Sequence, residues 1–264
     1  MKVSIIGNGQ WGNALAALIK RAGHEVDQKC DFKDSGLWII AVPARYFRMA
    51  VRKARRFYGG QPIIVGTKGI EPRTHKFMSE ILDEELPASK GKTGVLSGPQ
   101  FADEVVKRIP TGSTLAGSLA VRKIGRKVFA EFYLEETTDI IGAEICGIGK
   151  NAVALGAGFY RVKAKGENER AMMIARAWGE VADIGVKIGA NLRTFIGLCG
   201  TGDLFLSTTS ATSRNFSAGV AIALKKPFSG TIESFAAVRG LSQRAKKIGV
   251  KTPVLDMFAK LVPR

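Results

Sequence analysis

The opening residues constrain the fold more than any other stretch. Residues 2 to 6 form an apolar strand, Gly7, Gly9 and Gly12 follow in G-x-G-x-x-G spacing, and residues 13 to 21 read as a helix closed by Gly23. In such a β-turn-α unit the first glycine permits a tight turn, the second lets backbone approach a pyrophosphate, and the third lets helix and strand pack, with the helix N-terminus facing the anion. Glycine spacing alone is a weak signal. A strand before it and a helix after it supply the context that makes it a dinucleotide fingerprint rather than a structural turn.

After Gly23 comes a short extended piece, residues 24 to 28, with Asp27 at the distance where an acid contacts an adenosine ribose. The alternative for Asp27 is a solvated turn residue. The next strand, residues 37 to 42 before Pro43, begins only ten residues after Asp27, whereas a parallel crossover with its helix needs a dozen or more. One or more αβ elements are missing, and a plain loop, reaching about 33 Å over ten extended residues, can carry the chain across instead. The adenosine pocket should be shallow on that side. Asp27 argues for NAD and Lys29 for the 2'-phosphate of NADP, so the cofactor is NAD or NADP.

Further strands at residues 62 to 66, 94 to 97, 114 to 117 and 132 to 138 alternate with helices. Alternation of this kind indicates an α/β fold with a Rossmann-like, mostly parallel sheet. Ligands in such folds lie beyond the carboxyl ends of strands, where Pro43, Thr67-Lys68-Gly69 and Ser97-Gly98-Pro99-Gln100-Phe101-Ala102 stand. Lys68 beside the switch point is a site candidate. From Gly142 the period turns helical, over residues 142–159, 168–184, 213–224, 234–248 and 253–261. The change marks a boundary between a dinucleotide-binding domain, 1–141, and an all-α substrate-binding domain, 142–264.

Just past that boundary lies a helix rich in small residues whose only charges over residues 142 to 159 are Glu144 and Lys150. Its glycines each cost about 1 kcal/mol of helix propensity, so close packing must offset them. A lysine in such surroundings loses hydration, which lowers its pKa and suits it to general acid or base work. The competing reading is a lysine that snorkels to solvent. Residues 197 to 215 read as a loop in which hydroxyls, Asp203, Arg214 and Asn215 can converge on a polyol phosphate. Ser213 reads as an N-cap, leaving Arg214 and Asn215 where free N–H groups and the helix dipole favour a phosphate, and Arg214 can add a bidentate clasp. The alternative is a capped helix whose arginine bridges a surface carboxylate.

A formal charge of +17 points to an anionic partner. In the densest basic run, Arg45 to Arg56, the apolar residues Phe47, Val51, Ala54 and Tyr58 recur at helical spacing, so the cations occupy a solvated face without interleaved exposed aromatics. That argues for phosphorylated small molecules and against nucleic acid. Hydrophobic content of 45% and charged content of 24% are those of an ordinary globular protein. Cys30, Cys146 and Cys199 show no metal-ligand spacing, so no metal is expected and a reducing interior is the simplest reading. No apolar run reaches the roughly 18 residues of a membrane span. The first residues do not resemble a signal peptide. The expected location is the cytoplasm.

The chain resembles the NAD(P)-dependent sn-glycerol-3-phosphate dehydrogenases nearly end to end. The likeness rests on Gly7-Asn-Gly-Gln-Trp11-Gly12, Ala41-Val-Pro43, Thr67-Lys68-Gly69, Ser97-Gly98-Pro99-x-Phe101-Ala102-x-Glu104, Lys150-Asn151, Gly197-Leu-x-Gly-x-Gly-Asp203-Leu and Ser213-Arg214-Asn215. It implies interconversion of dihydroxyacetone phosphate and glycerol 3-phosphate, which supplies glycerophospholipid synthesis. It implies Lys150 as the residue exchanging the proton on the C2 oxygen, with Lys68 and Asp203 as catalytic partners. Substrate contacts implied by the resemblance are Lys68, Gly98, Gln100, Lys150, Asn151, Asp203, Ser207, Ser213, Arg214 and Asn215. Cofactor contacts are Gly7, Gly9, Gln10, Trp11, Gly12, Lys68, Ala102, Arg214 and Glu233.

Residue chemistry agrees, since two nearby lysines stabilise charge on a ketone oxygen and depress each other's pKa. His24, after a helix-ending glycine, and His75, at the start of an exposed helix, read as structural or solvated. The chain departs from the family at Gln100, where serine or threonine is usual, in the short segment after Asp27, and in an abbreviated loop between Leu224 and Ile232. Other readings are a hydroxyacid or ketopantoate-type reductase, against which the Asp203 to Asn215 stretch argues, and a non-catalytic dinucleotide or phosphate sensor, for which Lys68, Lys150 and Asp203 together have no use. Small-residue helices in the second half make a homodimer plausible.

Overall fold

A computed structural model describes residues 1–29, 31–228 and 232–263. Cys30 and part of the abbreviated loop, residues 229–231, lie outside the described residues. The first half runs β1 (Lys2–Ile6), α1 (Gln10–Arg21), β2 (Glu25–Asp27), β3 (Leu37–Ile40), α2 (Ala44–Ala54), β4 (Ile63–Val65), α3 (Met78–Glu85), β5 (Thr93–Ser97), α4 (Ala102–Val106), β6 (Gly112–Gly117), α5 (Leu119–Val128) and β7 (Tyr133–Thr137). The second half is helical: α6 (Ile140–Lys163), α7 (Glu167–Lys187), α8 (Leu192–Ile196), α9 (Asp203–Thr209), α10 (Arg214–Ala223), α11 (Glu233–Ile248) and α12 (Pro253–Leu261).

The strands form one sheet in the order β2-β1-β3-β4-β5-β6-β7. All neighbours are parallel except β5 and β6. Both faces are covered, so β3 is apolar throughout: Trp38 and Ile40 face one core cluster, Leu37 and Ile39 the other. The sheet order reverses at β1, which pairs with β2 on one side and β3 on the other. That reversal opens a crevice beyond the carboxyl ends of β1 and β3, and the glycine turn sits there. Gly7 has φ +132°, and a Cβ on Gly12 would stand 2.2 Å from the Gly7 carbonyl oxygen, so helix and turn meet only without a side chain.

No helix connects β2 to β3; residues 28 to 36 cross over β1 as a bare loop. Asp27 organises it and is not a solvated turn residue, being 8% exposed. Phe32 closes the loop by packing its ring on Trp38, centroids 4.8 Å apart, and on Phe57 at 5.3 Å.

α6 is the axis of the helical half, and it packs against α7, α9, α10, α11 and α12. The propensity cost of its glycines is offset by close approach: a Cβ on Gly158 would lie 1.9 Å from the Phe216 carbonyl of α10. By length and composition alone this helix could cross a bilayer, a property the residue 142–159 reading did not register, but 83% of the qualifying window is buried inside the protein. One apolar cluster joins Ile145, Ile148 and Val153 of α6 to Trp38, Val65 and Val95 of the sheet.

The basic run forms α2 as expected, with Phe47, Val51 and Ala54 buried. Exposed aromatics do accompany it, contrary to the sequence reading. Tyr46 and Phe57 are 42% and 44% exposed, each with a guanidinium, of Arg45 and Arg56, over its ring. Other cations are neutralised locally, Arg48 by Glu71, Glu84 and Glu85, and Arg52 by Glu85.

Candidate active site

Three elements from opposite halves bring the two predicted lysines together. Lys68 follows β4, Lys150 projects from the middle of α6, and Asp203 opens α9. Asp203 Oδ2 accepts from Lys68 Nζ at 2.7 Å, and its Oδ1 lies 3.2 Å from Lys150 Nζ. Lys150 also donates to Ser207 Oγ at 3.0 Å, and Lys68 to the Gly98 carbonyl at 2.5 Å. Lys150 does not snorkel. Its side chain is 14% exposed, that of Lys68 16% and that of Asp203 1%.

The electrostatics follow from this burial. Desolvation lowers the Lys150 pKa below the usual lysine value, Asp203 opposes that fall, and the charges of Lys68 and Arg214 add to it. Burial alone would raise Asp203, but the two ammonium groups outweigh it and hold the carboxyl below its ordinary range. Asp203 is therefore a fixed anion, and Lys150 is the group with a reason to give up its proton.

The expected loop at residues 197 to 215 is mostly helical. A wide π-type turn, Leu198–Gly202, runs into α9, and only residues 210 to 213 connect α9 to α10. Tertiary bonds hold that turn: Glu135 Oε2 of β7 accepts from the Leu198 N–H at 2.8 Å, and Thr114 Oγ1 of β6 accepts from the Cys199 N–H at 3.1 Å. The sheet edge thus aims Asp203 at both lysines. Ser213 caps α10 as expected, accepting from the Phe216 N–H at 3.4 Å.

Asn151 and Asn215 are bonded to each other. Asn151 Nδ2 donates to the Lys68 carbonyl at 3.2 Å, Asn215 Nδ2 donates to Asn151 Oδ1 at 2.7 Å, and the Ser234 N–H donates to Asn215 Oδ1 at 3.2 Å. This chain of amides fixes Lys68, α6, α10 and α11 relative to one another.

A cleft of about 470 Å³ lies over the lysines. Gly9, Gln10, Trp11, Lys68, Gln100, Ala102, Lys150, Asn151, Ser207, Ser213, Arg214, Asn215 and Glu233 all border it. Gly7 and Gly12 sit beneath its glycine turn, Gly98 turns its carbonyl to Lys68, and Asp203 lies below the lysines. Arg214 is exposed and has no ion pair among the described residues. A space above Gly9 free of atoms within 4 Å, and a buried Trp11 Nε1–H without a partner, fit a dinucleotide phosphate at this turn. Both amide atoms of Gln100 are likewise buried and unpartnered. Glu233 Oε1 accepts from the Ala44 N–H at 3.3 Å, and burial raises its pKa.

Thr67 and Asp103 also border the cleft and escaped the sequence reading as contacts. Thr67 follows a strand end, a signal that could have found it; Asp103 carries none. His24 bonds the amino terminus and the Lys127 carbonyl, as befits a structural residue. His75 lies in a left-handed turn, φ 57°, ahead of α3 and not on a helix. A second cavity, about 590 Å³, opens at the other end of β5 between Ser79, Thr93 and Arg244 and contains none of the predicted residues.

Comparison with known proteins identifies the family. Residues 27–120 match the family model described as NAD-dependent glycerol-3-phosphate dehydrogenase N-terminus, and residues 139–263 match the corresponding C-terminus. A glycerol-3-phosphate dehydrogenase [NAD(P)+] of Streptococcus equi subsp. zooepidemicus is 30% identical over 99% of this chain and 91% of its own. The chain belongs to this family.

The enzyme of the same description from Geobacillus thermodenitrificans is 31% identical over 98% of the chain and 90% of its own. A crystal structure of the Coxiella burnetii glycerol-3-phosphate dehydrogenase superimposes with a TM-score of 0.87 at 24% identity, covering 98% of this chain and 94% of that one, a likeness of fold. The streptococcal alignment extends over 309 positions against 264 residues here, so the family member carries segments this chain lacks.

Proposed function

We propose that the cleft interconverts dihydroxyacetone phosphate and sn-glycerol 3-phosphate, with Lys150 as acid and base, Lys68 and Asp203 as its partners, and NAD(P)H as the reductant. The activity is that of the family, and its product serves glycerophospholipid synthesis. The observation that carries the residue roles is the Lys68–Asp203–Lys150 bridge, a single buried carboxylate shared by two ammonium groups.

A bound nicotinamide supplies or accepts the hydride. In reduction, charge grows on the C2 oxygen, and Lys150 gives that oxygen a proton. Desolvation favours the neutral amine that remains, which makes the buried ammonium a stronger acid towards that oxygen than it would be in water. In the reverse direction neutral Lys150 takes the proton back. Asp203 keeps Lys150 charged and oriented between turnovers, while Lys68, anchored on the Gly98 carbonyl, adds a second positive charge at the developing oxyanion. Arg214 at the start of α10 takes the phosphate as a charge-assisted partner, reinforced by the helix N-terminus. Gly7, Gly9, Gln10, Trp11, Gly12, Ala102 and Glu233 hold the cofactor. Residues 1–141 act as the dinucleotide half and 142–264 as the substrate half.

We place the enzyme in the cytoplasm, where the buried thiols of Cys146 and Cys199 stay reduced. A homodimer is supported by exposed Leu192, Ile196 and Phe205 on α8 and α9, and sedimentation will count the chains.

Absorbance of NADH and NADPH, followed with dihydroxyacetone phosphate, tests the assignment. Lys150→Ala should lower kcat by about 10²–10⁴-fold. Equal turnover in the variant refutes the lysine role, and none in the wild type favours the sensor reading.

A further inference from the structure

None of the exposed residues of α2 borders the cleft. Arg45, Met49, Arg52 and Arg56 recur at helical spacing, and Tyr46 and Lys53 each follow one of them by a single residue, so together they share one stripe opposite the buried Phe47, Val51 and Ala54. The stripe continues into the turn Arg55–Phe57 that follows the helix. No acid occurs between Asp34 and Glu71. The acids that reach α2 as ion pairs, Glu71, Glu84 and Glu85, engage Arg48, Arg52 and Arg55 along one edge of the stripe. Lys53 and Arg56, further round, are exposed and have no ion pair among the described residues. Between the cations stand Met49, half exposed, and the rings of Tyr46 and Phe57. Buried Phe47 and Val51, together with the bond of Arg48 to Glu85 of α3, hold the helix in place, so this face is preformed.

A stripe of this composition suits an anionic phospholipid surface. Each cation beside a charged leaflet raises affinity by about fivefold. A thioether and two aromatic side chains can enter the headgroup level, where amphipathic rings gather. Nucleic acid fits less well. Binding of single strands needs open ring faces on which bases stack, and here those faces are occupied. Arg56 covers the Phe57 ring at 4.7 Å, Phe32 stacks on the same ring at 5.3 Å, and Arg45 covers Tyr46 at 4.7 Å. The formal charge of +17 adds a field that draws the whole protein towards a polyanionic surface. We infer that the exposed face of α2, from Arg45 to Phe57, docks the protein peripherally on membranes rich in acidic phospholipids.

Sedimentation of the whole protein with unilamellar vesicles tests it. Vesicles of phosphatidylcholine with about 30% phosphatidylglycerol should carry the protein down, and phosphatidylcholine alone should bind at least about tenfold less. Binding should weaken as salt rises from about 0.05 M to about 0.5 M. Lys53→Glu with Arg56→Glu should lower vesicle affinity by at least about thirtyfold. Lys163→Glu with Lys187→Glu, the same change of net charge on exposed residues of α6 and α7, should lower it by less than about threefold. Met49→Ser with Tyr46→Ser should cost about threefold or more at fixed salt. Turnover of dihydroxyacetone phosphate in solution, unchanged in every variant, checks that each is folded. Equal binding to the two kinds of vesicle, or none to either, overturns the inference. So do equal losses in the two charge-reversed variants, full binding by the Met49 and Tyr46 variant, or an oligothymidine strand that binds more tightly than the vesicles and displaces them.

Discussion

Replacing Asp203 by asparagine removes the charge that two lysines share and leaves the shape nearly unchanged. Lys150 Nζ lies 3.2 Å from the carboxylate. Unit charges at about 3 Å interact by about 5 kcal/mol at an effective dielectric of about 20. The lysine side chain is still 14% exposed, and water there reduces the figure to about 2–3 kcal/mol, or about 2 pH units in its pKa. The sign is fixed: the anion favours the ammonium, so losing it lowers a pKa that burial has already lowered. Reduction of dihydroxyacetone phosphate needs protonated Lys150, so the alkaline limb of kcat against pH should move about 2 units towards acid in Asp203→Asn. The acidic side should retain more of its rate. A variant with the wild-type alkaline limb and less than about tenfold loss of kcat would refute the shared-carboxylate account.

Arg214→Ala should raise KM for dihydroxyacetone phosphate by about 10–100-fold while hardly changing turnover of unphosphorylated dihydroxyacetone, since only the phosphate contact is removed; equal losses on both would show a structural role. Gly158→Ala places a Cβ against the Phe216 carbonyl and should cost about 1–3 kcal/mol, seen as a melting point lower by about 2–4 °C per kcal/mol. Glu144 is buried, accepts from the Ser79 N–H at 2.8 Å and from the Ser79 hydroxyl, and burial raises its pKa to about 7. A folded-state value above the ordinary 4.5 means stability present at low pH is lost as pH climbs from there to about 7. Over that window Glu144→Gln should gain on the wild type by about 3 kcal/mol in urea unfolding, and a pH-independent difference would contradict this.

Much of the site was legible because its residues sit at positions that chain order marks by itself. Lys68 stands at a strand end, Ser213 before a helix, and Lys150 in a stretch too apolar to hold a free charge. The π-type turn was not legible, because the bonds that make it come from Glu135 and Thr114, more than sixty residues upstream. The fate of Asp27 was hidden for the same kind of reason: spacing places an acid at the end of β2 but cannot say which donors will claim it. The exposure of Tyr46 on α2, and of Phe57 in the turn that follows it, also depended on where the helix docks, since periodicity identified Phe47 and Val51 as buried without showing how wide the covered stripe would be.

The order of strands and helices, the glycine turn after β1 and the change from an α/β half to a helical half were set by local patterns of size and polarity along the chain, because backbone geometry responds to near neighbours. Tertiary packing decided what no local pattern contains: α6 and α9 carry Lys150 and Asp203 from separate segments to within 3.2 Å of each other, where burial gives the lysine a reason to release its proton and the carboxylate opposes that release.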